Sequence, residues 1–331
     1  MGNKVKWGIL GNAKIAREKV IPALQKSPYC KVMAIASRNK ITVKKTARLL
    51  KIEKAYGSYE ELLNDKGIDA IYIPLPNHLH VEWAIKCIKA GKHVLCEKPV
   101  GLSYADALRL QEVANLHPKI KVMEGFMYHF HPQWQQAKRL VNANKIGELK
   151  MIQSFFSYYN ASPDNIRNRV DVGGGGLMDI GCYCISLSRF LFGEEPTAVL
   201  GSIERDPIMN TDRLTSGILN FAKGTATFTC ATQLMPYQRV NILGTLGRIE
   251  IELPFNPLPD QQTKLIVYDK DGMKEIVFEA VDQYTLQANA FSKAINDGDV
   301  VPFGLQDSLS NMKVIDAIFE SERTKNRVSI I

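Results

Sequence analysis

The sequence predicts two successive fold classes: an α/β segment built on a parallel sheet, then an α+β segment with an open, mostly antiparallel sheet and flanking helices. Three observations carry this. Up to about residue 124, short apolar strands alternate with helical patterns. A glycine turn joins the first strand to the first helix. Beyond that point, period-two strands and glycine-bearing hairpins dominate.

Residues 4–10 read as a buried strand, and Gly11-Asn12-Ala13-Lys14-Ile15-Ala16 opens a helix running to about Gln25. Strand 31–36 ends in Ser37-Arg38 and precedes a helix over 40–50. Strand 69–75, helix 80–90, strand 92–96, helix 103–115 and strand 120–124 continue the alternation. Helical crossovers of about 10–15 residues between strands imply right-handed βαβ units. A helix over 132–143 then leads to Gly147. In 225–233, Thr225, Thr227 and Thr229 face one way while Ala226, Phe228 and Cys230 face the other. Lys223-Gly224, Thr245-Leu246-Gly247 and Asp271-Gly272 are hairpin turns. Helices over 284–296 and 306–323 follow. The expected division is a first domain over 1–124, a second over 125–305, and a C-terminal helix over 306–331 packing back on both.

A chain of 331 residues exceeds the roughly 250 that a single core supports. Its longest apolar runs, such as 70–75, fall short of the roughly 20 residues that span a bilayer. The amino terminus reaches a glycine before a signal-like apolar stretch of about 7–15 residues can form. Neither a membrane span nor a secretion signal is expected. The six cysteines lack Cys-x-x-Cys spacing and lie mostly in apolar segments, which suits a reducing cytoplasm. A net charge of +8 comes from dispersed lysines and arginines without a clustered basic face. That pattern argues against nucleic acid and is compatible with a phosphorylated cofactor.

Five constellations carry chemistry. In Gly8-Ile9-Leu10-Gly11-Asn12-Ala13-Lys14-Ile15-Ala16, Gly11 makes the tight turn of a dinucleotide fingerprint and Ala16 permits close helix–strand packing. Ala13 replaces the second glycine; the helix amino terminus still offers N–H groups to phosphate. The alternative is a turn that merely ends a strand. Ser37-Arg38 stands about 26 residues after Gly11, where NAD enzymes place an acid; a hydroxyl and a guanidinium suit a 2′-phosphate instead, favouring NADP over NAD. An exposed arginine at a strand end is the alternative there. Pro74-Leu75-Pro76-Asn77-His78-Leu79-His80 must leave the sheet at its carboxyl edge, bringing Asn77 and the histidines to the cofactor cleft. Without Cys or carboxylate partners at ligand spacing, no metal is expected. Finally, Gly173-Gly174-Gly175-Gly176 precedes Asp179 and Tyr183, four apart and so on one face of a helix, a spacing that suits acid–base work. A flexible loop before a helix with a buried tyrosine is its alternative. Cys96-Glu97-Lys98-Pro99 closes an apolar strand where cofactor and substrate meet in open α/β sheets.

Together GILGNAKIA, YIPLPNHLHVEWAIKCIKAGKHVLCEKP, GFMYHFHPQ and GGGGLMDIGCY resemble the family of glucose–fructose oxidoreductase, inositol dehydrogenase and related sugar dehydrogenases, the Gfo/Idh/MocA type. The resemblance implies a Rossmann domain followed by an open antiparallel sheet whose face carries the substrate and often a dimer contact. It implies that Lys98 is the catalytic lysine, that Glu97 helps hold the nicotinamide ribose, and that the Lys98–Pro99 bond is cis. Tyr183 stands where many members have histidine, which resembles the branch of glucose–fructose oxidoreductase, xylose 1-dehydrogenase and dimeric dihydrodiol dehydrogenase. His129 stands where relatives commonly have arginine. The expectation is an NADP-dependent oxidoreductase acting on a sugar or cyclic diol, cytoplasmic and dimeric or larger. Its catalytic residues would be Lys98, Tyr183 and Asp179. Its cofactor residues would be Gly8, Gly11, Asn12, Ala13, Ile15, Ser37, Arg38, Pro74, Asn77, His80, Glu97 and Lys98. The competing expectation is a non-catalytic, dinucleotide-binding regulator of the same fold.

Overall fold

The computed structural model describes residues 4–330, which form two compact units: one reaching Met127 and including Asp282–Leu309, the other comprising Tyr128–Val281 and the residues from Ser310 onward. In the first, β1 (Val5–Leu10), β2 (Cys30–Ala36), β3 (Lys54–Tyr56), β4 (Ala70–Ile73), β5 (His93–Cys96) and β6 (Val122–Glu124) lie in the order β3-β2-β1-β4-β5-β6. Every pairing is parallel. All four residues of β4 are buried, as expected of a strand covered on both faces. Strand order reverses between β1 and β4, which opens a crevice at their carboxyl ends.

The first helix is not continuous as expected. A π-helical turn, Ala16–Val20, precedes α1 (Ile21–Lys26), which carries proline in its first turn. Helix α2 (Lys40–Leu49) is capped by Asn39, whose side chain accepts from Thr42 N–H at 3.0 Å. After α3 (Tyr59–Leu63) come α4 (His80–Lys89) and α5 (Tyr104–Leu116), the latter capped by Ser103. Strand β3 and helix α3, three and five residues long, carry too little periodicity to show in the sequence.

The expected boundary at residue 305 needs correction, because helix α8 (Gln283–Asp297) belongs to the first unit. Its buried face explains this. Phe291 packs on Trp7 of β1 with ring centroids 5.7 Å apart, and the Trp7 indole donates to Ser292 Oγ at 3.3 Å. Burying such rings contributes roughly 1.5–3 kcal/mol each.

In the second unit, α6 (Pro132–Asn142), β7 (Leu149–Tyr159) and α7 (Cys182–Phe192) precede a run of strands. These are β8 (Ala198–Arg205), β9 (Asp212–Asn220), β10 (Thr225–Ala231), β11 (Gln233–Gly244), β12 (Arg248–Ile251), β13 (Thr263–Asp269) and β14 (Gly272–Phe278). With β15 (Val328–Ser329), which follows α9 (Leu305–Thr324), they form a nine-stranded sheet ordered β14-β13-β12-β11-β7-β10-β9-β8-β15. It is antiparallel except for β7 against β10. The three glycine turns join β9 to β10, β11 to β12 and β13 to β14, as their chemistry predicts. Ala226, Phe228 and Cys230 are buried, whereas Thr225, Thr227 and Thr229 are half-buried on the opposite face. All six cysteines are free and buried. Among the described residues no helix is long and apolar enough to cross a membrane.

Candidate active site

In the first unit the loops after β1, β2, β4 and β5 gather the candidate residues at the carboxyl edge of the sheet. Gly11 has φ +134°, which L side chains rarely adopt, and a Cβ there would stand 3.0 Å from Leu75 Cδ2. Its N–H donates to Ala36 O at 3.0 Å. The buried Oδ1 of Asn12 has no hydrogen-bond partner. Ala13 and Ile15 are half-buried beside it. Gly8 has a different role from the one expected. It lies inside β1, where a Cβ would come 2.8 Å from Leu62 and 2.9 Å from Ile71, so it serves core packing instead of ligand contact.

After β2, residues 37–41 line an open depression. Arg38 is exposed there and hydrogen-bonds the Tyr59 hydroxyl; burial raises that phenol's pKa, and Arg38 opposes the rise. Lys40, at the first position of α2, brings a second cation that the sequence reading did not single out.

After β4, Pro74 is buried and Asn77 begins a 3₁₀ turn. His78 has a buried Nδ1 without a hydrogen-bond partner. His80 was expected to touch cofactor, yet it is wholly buried, and both ring nitrogens face backbone oxygens, Nδ1 to Pro99 O and Nε2 to Leu75 O, each at 2.7 Å. It therefore clasps the β4 turn to the turn after β5. Two carbonyl acceptors favour a doubly protonated ring, but burial outweighs them and pushes the pKa down to about 4.

After β5, Glu97 N–H donates to Ile73 O at 3.0 Å, and Glu97 Oε1 accepts from Tyr72 OH at 2.6 Å. Burial and the Glu97 charge raise the pKa of both Tyr72 and Tyr284 of α8, so both stay protonated donors. Tyr72 opens the quoted YIPLPNHLH stretch but was given no role there, and Tyr284 lies outside every quoted motif. The Lys98–Pro99 bond is cis. Lys98 is half-buried, and Val100 N–H donates to the buried Glu124 Oε1 at 2.8 Å.

In the second unit Asp179 sits in a π-helical turn, Leu177–Gly181, that leads into α7. The wider turn alters the simple four-residue spacing to Tyr183. Asp179 Oδ2 accepts from Tyr158 OH at 2.7 Å and from Arg167 Nε at 2.9 Å. Tyr183 is 6% exposed, with ring centroids 5.8, 5.9 and 5.3 Å from Tyr128, Phe156 and Phe255. Gly174 and Gly175 accommodate the protein itself. A Cβ on Gly174 would meet Arg167 O at 2.5 Å, and one on Gly175, at φ +122°, would meet Asp212 Oδ1 at 1.9 Å. Asp212 is buried and accepts from Leu177 N–H at 2.6 Å and Thr215 Oγ1 at 3.0 Å. Burial raises its pKa to about 6. His129 is buried against Phe190 with its Nε2 on Tyr128 OH and Ser186 Oγ, and burial lowers its pKa to about 3. It is therefore a neutral core group of this unit.

Comparison with known proteins agrees with this fold. Residues 5–126 match the GFO/IDH/MocA oxidoreductase family, NAD-binding Rossmann fold, and residues 134–250 match a GFO/IDH/MocA C-terminal domain. An uncharacterised oxidoreductase of Rhizobium meliloti is 41% identical, covering 97% of this chain and 98% of that one. D-xylose 1-dehydrogenase (NADP(+)) 2 of Haloferax volcanii is 36% identical, covering 98% and 99%. The crystal structure of KijD10, a 3-ketoreductase from Actinomadura kijaniata in complex with NADP and TDP-benzene, superposes with a TM-score of 0.90 at 30% identity, covering 96% and 98%. This chain belongs to the GFO/IDH/MocA oxidoreductase family.

Proposed function

We propose that the chain is an NADP-dependent oxidoreductase that exchanges a hydride between the nicotinamide and a CH–OH carbon of a sugar or cyclic diol. The observation that carries it is the turn at Glu97-Lys98-Pro99, fixed at the carboxyl edge of the parallel sheet by Ile73 O, by the Tyr72 hydroxyl and by the His80 clasp. A half-buried lysine so held is kept in one place for a reacting oxygen. The first unit fits a phosphorylated dinucleotide: Gly11 leaves room for close approach, Asn12 Oδ1 and His78 Nδ1 are buried without partners, and Arg38 and Lys40 flank one depression. The NADP-dependent xylose dehydrogenase and NADP-bound ketoreductase among its relatives support the same cofactor and a sugar-like substrate.

NADP supplies the two-electron acceptor or donor at nicotinamide C4. The chain's own residues then divide the remaining work. Arg38, Ser37 and Lys40 would hold the 2′-phosphate, and Asn77 and Glu97 would orient the nicotinamide ribose. Tyr183 would exchange the hydroxyl proton, and Lys98 would steady the reacting oxygen. In the oxidative direction the substrate loses a hydride from carbon and a proton from oxygen, so the proton balance falls to Tyr183.

Purified protein with NADP+ should show growing NADPH absorbance with D-xylose, another aldose or a cyclic diol. Tight NADP+ binding without turnover across such a panel would favour the regulator reading instead. We also propose a homodimer in the cytoplasm. Phe155, Leu200, Ile218 and Tyr237 line an open groove on the second unit's sheet, and the last three are 41, 38 and 49% exposed. A monomer at micromolar concentration in sedimentation velocity would count against the dimer.

A further inference from the structure

The second unit holds a cavity of about 260 Å³ that none of the candidate catalytic or cofactor residues lines. Its wall is assembled from Gln133 in the first turn of α6, Glu252 and Leu253 after β12, Thr263 and Lys264 of β13, and Val277 of β14. Two of these side chains are polar and buried: Gln133 is 0% and Thr263 6% exposed. Each carries an atom without a hydrogen-bond partner in the protein, Gln133 Oε1 and Thr263 Oγ1. Unpaired buried polar atoms are rare, and two among the residues lining one cavity point to a ligand that pairs them. The Gln133 amide cannot turn over to remove its deficit. Its Nε2 donates to Leu253 O at 2.9 Å and Pro254 O at 3.4 Å, two acceptors that need an N–H. The Trp134 indole also donates to Pro254 O, at 2.6 Å, which holds the same segment in place. Thr263 is fixed by its strand, where it stands opposite Phe278.

We propose that this cavity is a second binding site, for a small neutral polyol. The chemistry of the wall selects the class. Gln133 Oε1 can only accept, whereas Thr263 Oγ1 can accept and donate, so the pair suits ligand hydroxyls, which do both. The charges on the wall disfavour ions of either sign. Lys264 opposes an ammonium; Glu252 opposes an anion, as does Glu275, which accepts from Lys264 Nζ at 2.7 Å. A neutral molecule meets neither penalty. Leu253 and Val277, 43 and 56% exposed, supply an apolar edge for the ligand's C–H groups and leave the cavity open to solvent. Sites for drug-sized ligands run to roughly 300–1,000 Å³, so the smaller space here sets the ligand at monosaccharide size or below. No residue is shared with those assigned to hydride transfer, and the site stands independently of that reading.

Erythritol serves as the probe, followed by NMR of the full-length protein labelled at leucine, valine and threonine methyl groups. The signals of Leu253, Thr263 and Val277 are expected to move together on titration and to saturate with one Kd. Thr263→Val keeps the shape of the side chain and removes the hydroxyl. It is expected to weaken binding about five- to tenfold, the scale of one hydrogen bond, without lowering thermal stability, since that hydroxyl has no protein partner to lose. Val277→Trp, at an exposed position, is expected to block the opening and abolish the response of Leu253 and Thr263. Circular dichroism confirms the fold of each variant, and two separate positions guard against one that fails. 1-Butanol, the same carbon chain with a single hydroxyl, is expected to bind more weakly than erythritol. Signals unmoved by erythritol in the wild type, or an unchanged Kd in folded Thr263→Val, overturn the site; equal or tighter binding of 1-butanol overturns the polyol class. Loss of the response in Tyr183→Phe would trace it to the redox site and overturn a second one. Absence of turnover with NADP+ in the wild type would overturn the proposed function, while these methyl signals alone decide on the cavity.

Discussion

The two units hold their candidate residues by different means. In the first, backbone does it: Gly11 N–H on Ala36 O, Glu97 N–H on Ile73 O, and the His80 ring between the carbonyls of Leu75 and Pro99. In the second, side chains from distant segments do it: Tyr158 and Arg167 on Asp179, and Asp212 on the first turn before α7. Backbone-built sites write themselves into short motifs, because only particular residues fit a given turn. Side-chain-built sites scatter over the sequence and leave little local trace.

The largest expected effect probes whether the two constructions serve one step. Lys98→Met and Tyr183→Phe should each lower kcat by about 10²–10⁴, the range for a positioned acid–base group. NADP+ binding, followed by calorimetry, should survive in both. The double variant should be scarcely slower than the worse single one, since groups that act as a unit are strongly non-additive. Multiplicative losses would mean that the two residues act in separate steps. Near-wild-type turnover by Tyr183→Phe would remove the tyrosine as proton carrier.

What could be read from the sequence follows the same division. Gly11, Ser37-Arg38, Asn77 and Glu97-Lys98-Pro99 could be placed in the loops after β1, β2, β4 and β5 because strand ends and turns restrict residue type. His80 was placed in the right loop but given the wrong task, since burial and two carbonyl partners are not visible in a string of residues. Gly8 looked like part of a phosphate turn and proved to be a gap filled by Leu62 and Ile71. Helix α8 was assigned to the second domain because chain order suggested it; the Trp7–Phe291 contact, between residues far apart in sequence, decided otherwise. Tyr158, Arg167, Asp212 and Tyr284 were missed for that same reason. The four glycines were noticed, yet Gly174 fits the Arg167 carbonyl and Gly175 and Gly176 fit Asp212.

The glycine run offers the next test, of intermediate size. Gly175→Ala places a methyl 1.9 Å from Asp212 Oδ1 at a φ of +122°, so strain and clash add, and a loss of about 2–4 kcal/mol is expected from denaturant midpoints. Asp212 gives this clamp a pH signature. Its folded pKa is about 6 against 3.8 for the free group, so the folded state holds the proton more tightly than the unfolded chain does. Stability from this group is therefore greatest below about pH 4 and is lost as pH rises through about 6, by up to roughly 3 kcal/mol. Asp212→Asn should remove that component. The stability difference between wild type and variant, measured at several pH values, should change across this window and stay level above it. A flat difference would mean that Asp212 titrates as an ordinary carboxylate and that the clamp is not a buried charge.

The smallest expected effect sharpens the first unit's side of the comparison, where the site is built from backbone but selectivity rests on exposed side chains. Arg38 is exposed at the end of β2, and Lys40 lines the same depression. Calorimetry should show wild type binding NADP+ more tightly than NAD+. Arg38→Ala should lose about 1–3 kcal/mol toward NADP+, the scale of a charge-assisted hydrogen bond, with little change toward NAD+. Lys40→Ala should lose less, because an exposed ammonium acts as a screened point charge without the guanidinium's paired geometry. Added salt should shrink both losses, that of Lys40 proportionately more. Equal wild-type affinity for the two cofactors would sink the assignment of this depression to a 2′-phosphate. A Lys40 effect exceeding that of Arg38 would move the phosphate toward the first turn of α2, where the Asn39 cap leaves backbone N–H groups to receive it.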